Sequence, residues 1–505
     1  MNTQAQPRIK QAMINTAQWV DDRLHLTKLF ESTAGHKVPQ SAGSWFYVFG
    51  SATLLCFMLQ VVTGICLSLV YVPSAAEAYT TLEYMTYQQP LGWYLRAVHN
   101  WGSNFMVGIM LLHMTQVYLW GAYKYPREMT WLSGSILLFL TLGMAFTGQV
   151  LRFDQDAYWG LGIGAAIVGR VPFIGEQLVH LMLGGPIIAG ETLSRFFTLH
   201  VFVLPGLIIA LVAMHLRLVL TKGINEYPKP GVLVNRKTYD AHYEGILERE
   251  GVPFFPKAID KDLVAAGVVI FSILILAAVF GPKGPEGVPN PTYIDTVPRP
   301  DFFFLWIFAV AALLPAYIET FVLLVGPVVI VVVLFALPFF NNEGEKHWRR
   351  RPMAIIVVVL LWLSLGTLTY LGMTSPWSPE MHAWTEDKTP REFVEGRTPI
   401  ELQGNLVMQY KQCRNCHAID GIGGHRGPDL ATVGVRLTKD QLTRQVIQGG
   451  GNMPAYGKNL SPAEVYALVE YLSSLRPQGV PPARNSESPG VPQSEVVTAE
   501  KSAMR

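Results

Sequence analysis

Long charge-free apolar stretches alternate, through the first three-quarters of the chain, with short segments that hold most of its basic residues. The apolar runs cover 46–72, 102–122, 129–151, 196–216, 263–282, 320–340 and 353–373. Each approaches or exceeds the roughly 20 residues that a helix needs to cross a bilayer core, so the pattern predicts seven transmembrane helices. An eighth stretch, 302–318, is short, broken by Pro315 and followed at once by Glu319 and the next run. One residue cannot join two spans, and a buried or interfacial helix is expected there instead.

Beyond residue 374 the pattern changes. Residues 374–399 read as a linker containing Pro and charge, 400–475 as a small soluble helical domain, and 476–505, rich in Pro, Ser, Gly and Val, as a disordered tail. The predicted fold is all-α. An N-terminal segment (1–45) leads into a four-span core (46–222), a basic loop (223–262) and three further spans (263–373). Alternate connecting segments carry nineteen Lys and Arg on one side against six on the other. That bias puts the N-terminus in the cytoplasm and the soluble domain outside.

Composition agrees with a membrane protein: 50% of residues are apolar and 15% charged, against about 25% charged in soluble domains. A net charge of +2 gives no field to attract a polyanion, which argues against nucleic acid as a partner. Four cysteines exclude a disulfide scaffold, and Cys56 and Cys66, inside the first apolar run, read as small buried side chains.

Only four of the twelve histidines fall at the spans: His99 and His113 at the second, His200 and His215 at the fourth. Ionisable residues at such depth default to functional roles. Spacings of 14 and 15 residues bring each pair back to within roughly 40–60° of one helix face, about 21–22 Å apart along the axis. Two facing helices could then clamp two flat cofactors, one above the other. Zinc or copper would need three or four clustered ligands, and four unrelated hydrogen-bonding histidines would not share a spacing. Bis-histidine b-type haem fits the pattern better, with His99 and His200 as one pair of metal ligands and His113 and His215 as the other. Gly50 and Gly64, and Gly134 and Gly148, repeat the 14-residue spacing in the first and third spans. They would let a porphyrin press on the backbone, although glycine also marks ordinary packing faces. Arg96 and Arg195 precede the first histidine of each pair and could hold haem propionates or anchor the helix ends.

In the soluble domain Cys413-Arg414-Asn415-Cys416-His417 is the c-type haem attachment pattern: two thiols for the vinyl groups and a histidine for iron. Zinc would need further partners, and only His425 is near. Met453, followed by Pro454, is the candidate sixth ligand, and Gly427-Pro428 the candidate packing partner of His417. Because c-type haem is attached outside the cytoplasm, the motif and the basic-residue bias place this domain on the same side.

Four runs carry a resemblance over nearly all of 15–475: Arg96-Ala97-Val98-His99, Pro126-Arg127-Glu128-Met129-Thr130-Trp131, Arg195-Phe196-Phe197-Thr198-Leu199-His200 and Pro300-Asp301-Phe302-Phe303. The chain resembles the cytochrome b subunit of quinol–cytochrome c reductases, joined to a class I cytochrome c domain. The 15-residue spacing and seven spans look like the chloroplast and related bacterial branch, whose two halves are often separate chains. The resemblance implies a Q cycle in a bacterial cell membrane. Quinol would be oxidised at an outer site between the loop after the third span and Pro300-Asp301-Phe302-Phe303. One electron would go to a Rieske iron–sulfur partner and on to haem c and a downstream cytochrome or oxidase. The other would cross through two haems b to reduce quinone on the inner side. It implies a homodimeric complex, and a separate Rieske subunit, since the chain has no such cluster ligands. The additional covalent haem of the chloroplast branch is not expected, because Val48 stands where its cysteine would be.

Departures bear on the chemistry. The family's outer-site motif is usually Pro-Glu-Trp-Tyr, and here Asp301, Phe302 and Phe303 take the last three places. Arg152-Phe153 stands where the family often has Pro-Trp. Asp301 is the candidate catalytic proton acceptor, with a helix N-cap as the competing role. The alternative reading of the whole chain is a di-haem membrane anchor for a quinone-linked dehydrogenase or hydrogenase, which would not need Asp301 or a fused haem c. A haem–copper oxidase would need more intramembrane histidines, and a passive scaffold with a tethered carrier would need neither pair in register.

Overall fold

The computed structural model describes residues 5–185, 188–289, 298–314, 316–374, 388–411, 413–424, 427–448, 456 and 460–483. They fall into two compact units, the first holding 1–171, 190–289 and 296–380, the second 172–189, 290–295 and 381–505.

In the first unit, helices α1 (Ala5–Leu24) and α2 (Leu26–Thr33) precede α3 (Phe49–Ser68), α4 (Ala78–Tyr87), α5 (Gly92–Leu119), α6 (Glu128–Val150) and α7 (Gln155–Gly169). After α8 (Gly175–Leu183), which belongs to the second unit, come α9 (Gly190–Thr198) and α10 (Leu204–Lys222), joined by a π-turn at Leu199–Val203 into one 33-residue helix. Then follow α11 (Tyr239–Glu250), α12 (Asp260–Phe280), α13 (Leu305–Leu313), α14 (Ala316–Phe340) and α15 (Pro352–Thr374). Among the described residues six helices are long and apolar enough to cross a membrane: α3, α6, α9–α10, α12, α14 and α15. The six do not include α5. It is 28 residues long, but Asn100, Asn104, His113 and Gln116 dilute its apolar character. The short apolar helix expected over 302–318 is Phe302–Leu313, and buried Phe303, Leu305 and Phe308 hold it against the bundle rather than across it.

Two antiparallel helix pairs organise the bundle: α3 packs along α5, and α6 along α10. α12 covers α5, tied by Tyr94 Oη donating to the Leu274 carbonyl (3.2 Å) and Trp101 Nε1 to the Gly281 carbonyl (3.1 Å). Cys56 is buried among these helices, whereas Cys66 is exposed on α3, a departure from the expectation that both are buried.

At the His113/His215 end the basic loop is clamped. Arg127 donates to the carbonyls of Gly223 (3.0 Å) and Lys222 (3.2 Å) and to Tyr239 Oη (2.6 Å). Buried Lys346 pairs with Glu226 at 2.7 Å, and Arg351 donates to the Tyr118 carbonyl at 2.8 Å. Short antiparallel ladders join Lys37–Pro39 to Gly251–Pro253 and Leu233–Val234 to Gly344–Glu345, the small β content that an all-α reading omits. They give loop backbone groups partners that no helix supplies.

The second unit contains α16 (Pro399–Tyr410), α17 (Val433–Arg436), α18 (Lys439–Gln448) and α19 (Pro462–Ser474), with a small Ala418–Ile419/Ile422–Gly423 hairpin. Capping boxes start α16 (Thr398, Glu401) and α19 (Ser461, Glu464). Met408, Ile419, Leu442, Leu468, Tyr471 and Leu475 form the core. The folded region is wider than 400–475. Phe393 packs on the core, Arg397 donates to the Ser474 carbonyl (2.8 Å), and the Ala483 amide donates to the Gly434 carbonyl (3.0 Å). Those polar contacts are local in space and distant in sequence, so composition could not show them.

α16 and α19 cross at Gly404, where a Cβ would collide with the Ala467 carbonyl. Gly404→Ala should cost about 1–3 kcal/mol of domain stability through overpacking. Limited proteolysis of the full chain should then cut faster within 399–474 than in the wild type, with the membrane unit unaffected.

Candidate functional site

Each of the four intramembrane histidines lies against one glycine on the antiparallel neighbour. A Cβ on Gly50 would meet His113 Cε1 at 3.3 Å, and one on Gly64 would meet His99 Cε1 at 3.3 Å. On the other helix pair, Gly134 faces His215 Cε1 at 3.4 Å and Gly148 faces His200 Cε1 at 2.6 Å. The glycines thus make room for the imidazoles themselves, a more immediate partner than the porphyrin face expected from spacing.

The residue before three of these glycines is a hydroxyl. His99 Nδ1 is 2.8 Å from Thr63 Oγ1, His200 Nδ1 is 3.0 Å from Thr147 Oγ1, and His215 Nδ1 is 2.8 Å from Ser133 Oγ. Each hydroxyl also donates to a carbonyl of its own helix: Leu59 (2.7 Å), Gly143 (2.9 Å) and Thr130 (2.9 Å). Its proton is therefore committed, and its oxygen accepts from Nδ1–H. That fixes the tautomer with a bare Nε2 lone pair, the form a metal ligand needs. Phe49 precedes Gly50, so this position offers no hydroxyl to His113. Sequence reasoning passed over Thr63, Ser133 and Thr147, although the hydroxyl–Gly dipeptide repeats in plain view.

The π-turn explains the unequal spacing. Pro205 lacks the N–H that an α-helix would use, and the Leu204 amide bonds the Leu199 carbonyl instead, five residues back. The wide turn absorbs one residue, so 15 residues in the fourth span advance the helix face about as far as 14 do in the second. His99 and His200 end with ring centroids 6.4 Å apart. Two metal–imidazole bonds of about 2 Å, with a ring radius on either side, require roughly 6.3 Å. The pair fits an iron held between two Nε2 atoms.

Beside it lies a cavity of about 470 Å³ lined by Gly64, Arg96, His99, Gly148, Arg152, His200, Lys283 and Asp301, among others. Arg96 is buried there, but its guanidinium is occupied: it donates to Thr86 and to the carbonyls of Lys283 (3.0 Å) and Gly284 (3.4 Å). Arg195 is exposed and is not among the lining residues. Asp301 precedes the helical turn at Phe302, yet its side chain makes no capping hydrogen bond. It pairs with Lys283 at 3.2 Å, and Lys283 also donates to the carbonyls of Arg299 (3.1 Å) and Pro300 (3.4 Å). The N-cap role weighed against catalysis is thus not what the side chain does. Lys283 was not expected, because its partners lie 16 to 18 residues downstream.

In the second unit, His417 Nδ1 donates to the Pro428 carbonyl at 2.8 Å, and a Cβ on Gly427 would collide with the His417 ring. Burial pushes the Cys413 thiol up to about 12 and holds His417 below its ordinary value, so both rest neutral. His417 again presents a bare Nε2. Neither cysteine is in a disulfide, and the Cys416 and His417 amides both donate to the Cys413 carbonyl, so one tight turn gathers the three residues. Met453 and His425 lie outside the described residues.

Residues 34–223 match the family described as cytochrome b/b6/petB, and residues 290–385 match cytochrome b(C-terminal)/b6/petD. Cytochrome b6 of Synechococcus sp. (strain JA-3-3Ab) is 38% identical over 213 residues, 42% of this chain and 99% of that protein. The chain belongs to the cytochrome b family. Cytochrome b6 of Heliobacterium mobile is 39% identical over 209 residues, 41% of this chain and 98% of the relative. A solved "Hyperthermophilic respiratory Complex III" chain superposes with a TM-score of 0.60 at 28% identity, covering 71% of this chain and 92% of the other. Residues 402–472 match the family described as cytochrome C oxidase, cbb3-type, subunit III. As a cytochrome b, the chain is a haem-bearing electron-transport protein of the membrane.

Gly148→Ala should empty the His99–His200 site and spare the other, leaving about half of the b-type absorbance per chain in dithionite-reduced spectra. Thr147→Val should weaken haem retention there by roughly 10–100-fold, the usual cost of losing a histidine's outer partner, read as haem lost on detergent washing.

Proposed function

We propose that this cytochrome b is the membrane subunit of a proton-translocating quinol:cytochrome c oxidoreductase operating a Q cycle. The observation that carries the reading is the pair His99–His200, spaced for iron and opening on a cavity that also holds Asp301. In this reading α5 is the seventh span: its 28 residues extend about 42 Å, enough for a 30 Å core. The N-terminus is cytoplasmic, and the His99/His200 end and the fused domain face outward. Haem bound between each histidine pair, and covalently at Cys413 and Cys416, supplies one-electron carriers.

The chain's own residues handle the proton and the binding. Quinol approaches the edge of this cavity at the wall that carries Asp301 and Lys283. Asp301, paired with Lys283 at the cavity wall, accepts the hydroxyl proton as general base. His417 and Met453 would ligate the haem iron of the second unit, which resembles a class I cytochrome c. A separate Rieske iron–sulfur protein completes the complex, which is taken to be a homodimer; a downstream cytochrome c or terminal oxidase receives its electrons.

The purified complex should contain two haems b and one haem c per chain with a copurifying iron–sulfur protein. A copurifying dehydrogenase or hydrogenase in its place would support the di-haem anchor reading. Asp301→Asn should lower quinol turnover by about ten-fold or more with haem content unchanged; wild-type turnover across pH would remove Asp301 from catalysis. Met453→Leu should abolish the near-infrared methionine–iron band of oxidised haem c and lower its potential. A persisting band would exclude Met453.

A further inference from the structure

The two histidine pairs are not held alike. In the His99–His200 pair both rings donate Nδ1–H to a hydroxyl, at Thr63 (2.8 Å) and at Thr147 (3.0 Å). In the His113–His215 pair His215 donates to Ser133 at 2.8 Å, and His113 has no counterpart. Phe49 stands before Gly50, where the other three glycines follow Thr or Ser. The next hydroxyl along α3, Ser51, is turned away: it donates to the Val48 carbonyl at 2.9 Å and to Asp262 on α12. His113 packs on Gly50, a Cβ there meeting its Cε1 at 3.3 Å, and among the described residues no hydroxyl is hydrogen-bonded to its ring.

A hydrogen bond at Nδ1 changes what the ring offers at Nε2. Donating Nδ1–H to an acceptor shifts electron density toward Nε2 and makes the ring a more basic ligand. A more basic ligand favours ferric iron over ferrous, which lowers the reduction potential of a haem. Two hydroxyls act in this way on the His99–His200 pair and one on the other. Each acceptor is itself held in place, because its own proton goes to a carbonyl of its helix: Thr63 to Leu59 (2.7 Å), Thr147 to Gly143 (2.9 Å) and Ser133 to Thr130 (2.9 Å). Fixing a tautomer would be served equally well by a hydroxyl at all four positions. The asymmetry calls for a different account.

We propose that the unequal hydroxyls set the order of the two potentials. Thr63 and Thr147 hold the haem between His99 and His200 lower, and Phe49, by denying His113 an acceptor, keeps the haem between His113 and His215 higher. The inference rests on the haem reading of both pairs and deepens the proposed function. An electron then moves downhill from the outer pair to the inner one: ferrous iron at the first becomes ferric, ferric iron at the second becomes ferrous, and no bond is made or broken. Thr63, Thr147 and Phe49 are positioning residues here, acting through the histidines and not on a substrate. Cations at the outer cavity, Arg96 and Lys283 among them, also bear on that potential, so the test changes hydroxyls and leaves charges in place.

The intact purified complex carrying Thr63→Val, Thr63→Ser or Phe49→Ser is titrated with redox mediators while the two b-type components are followed. Thr63→Val keeps the shape and removes the hydroxyl. It should raise the lower-potential component, changing its ferrous-to-ferric ratio at fixed ambient potential by roughly two- to ten-fold, the scale of one hydrogen bond. Thr63→Ser should restore it. Phe49→Ser rebuilds the hydroxyl–glycine dipeptide before Gly50 and should lower the higher-potential component. The low-spin ferric resonance of the affected haem should move with its potential while the other stays in place, a selectivity that general loosening of the bundle would not give. If Thr63→Val releases its haem, Phe49→Ser decides alone. Both haems present with potentials unmoved overturn the proposal, and so does a Thr63→Val shift in the higher-potential component. A wild-type complex without b-type haem fails the haem reading itself, a distinct outcome from two haems with unmoved potentials.

Discussion

An imidazole ring pressed into the space of a missing side chain is the contact on which the membrane unit depends. Because His113 meets Gly50 and His99 meets Gly64, α3 and α5 must run antiparallel in a single register; Gly134 and Gly148 impose the same on α6 and α10. Lipid gives helices no hydrophobic reason to associate, so close packing at small residues and interhelical hydrogen bonds must do so. Here one dipeptide provides both: the glycine admits the ring, and the hydroxyl before it, at Thr63, Ser133 and Thr147, orients it. The packing of the bundle and the coordination chemistry of its centre are set by the same residues.

Charge is handled differently at the two ends. At the His113/His215 end Lys346 and Glu226 neutralise one another, and Arg127 is hydrogen-bonded to Tyr239 and two helix-terminal carbonyls. The basic loop between the two matched halves of the family is thereby bound to the bundle. At the His99/His200 end, loops are gripped by cations through backbone oxygens. Arg96 holds the carbonyls of Lys283 and Gly284, and Lys283 holds those of Arg299 and Pro300. This chain of grips sets Asp301 at the cavity wall, where a carboxylate in low dielectric needs a cationic neighbour.

The fused domain repeats the ligand logic by another route. Backbone replaces hydroxyl: the Pro428 carbonyl orients His417, and Gly427 clears the space for its ring. In both units a glycine next to the group that orients the histidine supplies the room, since any Cβ at Gly148 or Gly427 would enter the imidazole.

Periodicity and spacing determined the helical membrane architecture, the four histidines, the four glycines and the haem-attachment turn, because helix geometry converts residue number directly into depth and face. The hydroxyls before the glycines were visible as letters, but only antiparallel packing showed which ring each one meets. Pro205 was equally visible, yet whether the helix would kink or widen depended on its neighbours, and the π-turn that aligns the 15-residue spacing emerged only in three dimensions. The same holds for the polar groups. Arg96 and Asp301 could be nominated from the sequence, whereas Lys283 and Arg152 came to the cavity only with the fold. Which of them is saturated and which is paired was decided by contacts across as many as 188 residues of sequence. Side-chain hydrogen bonds are short-ranged in space and indifferent to distance along the chain, so no local pattern encodes them.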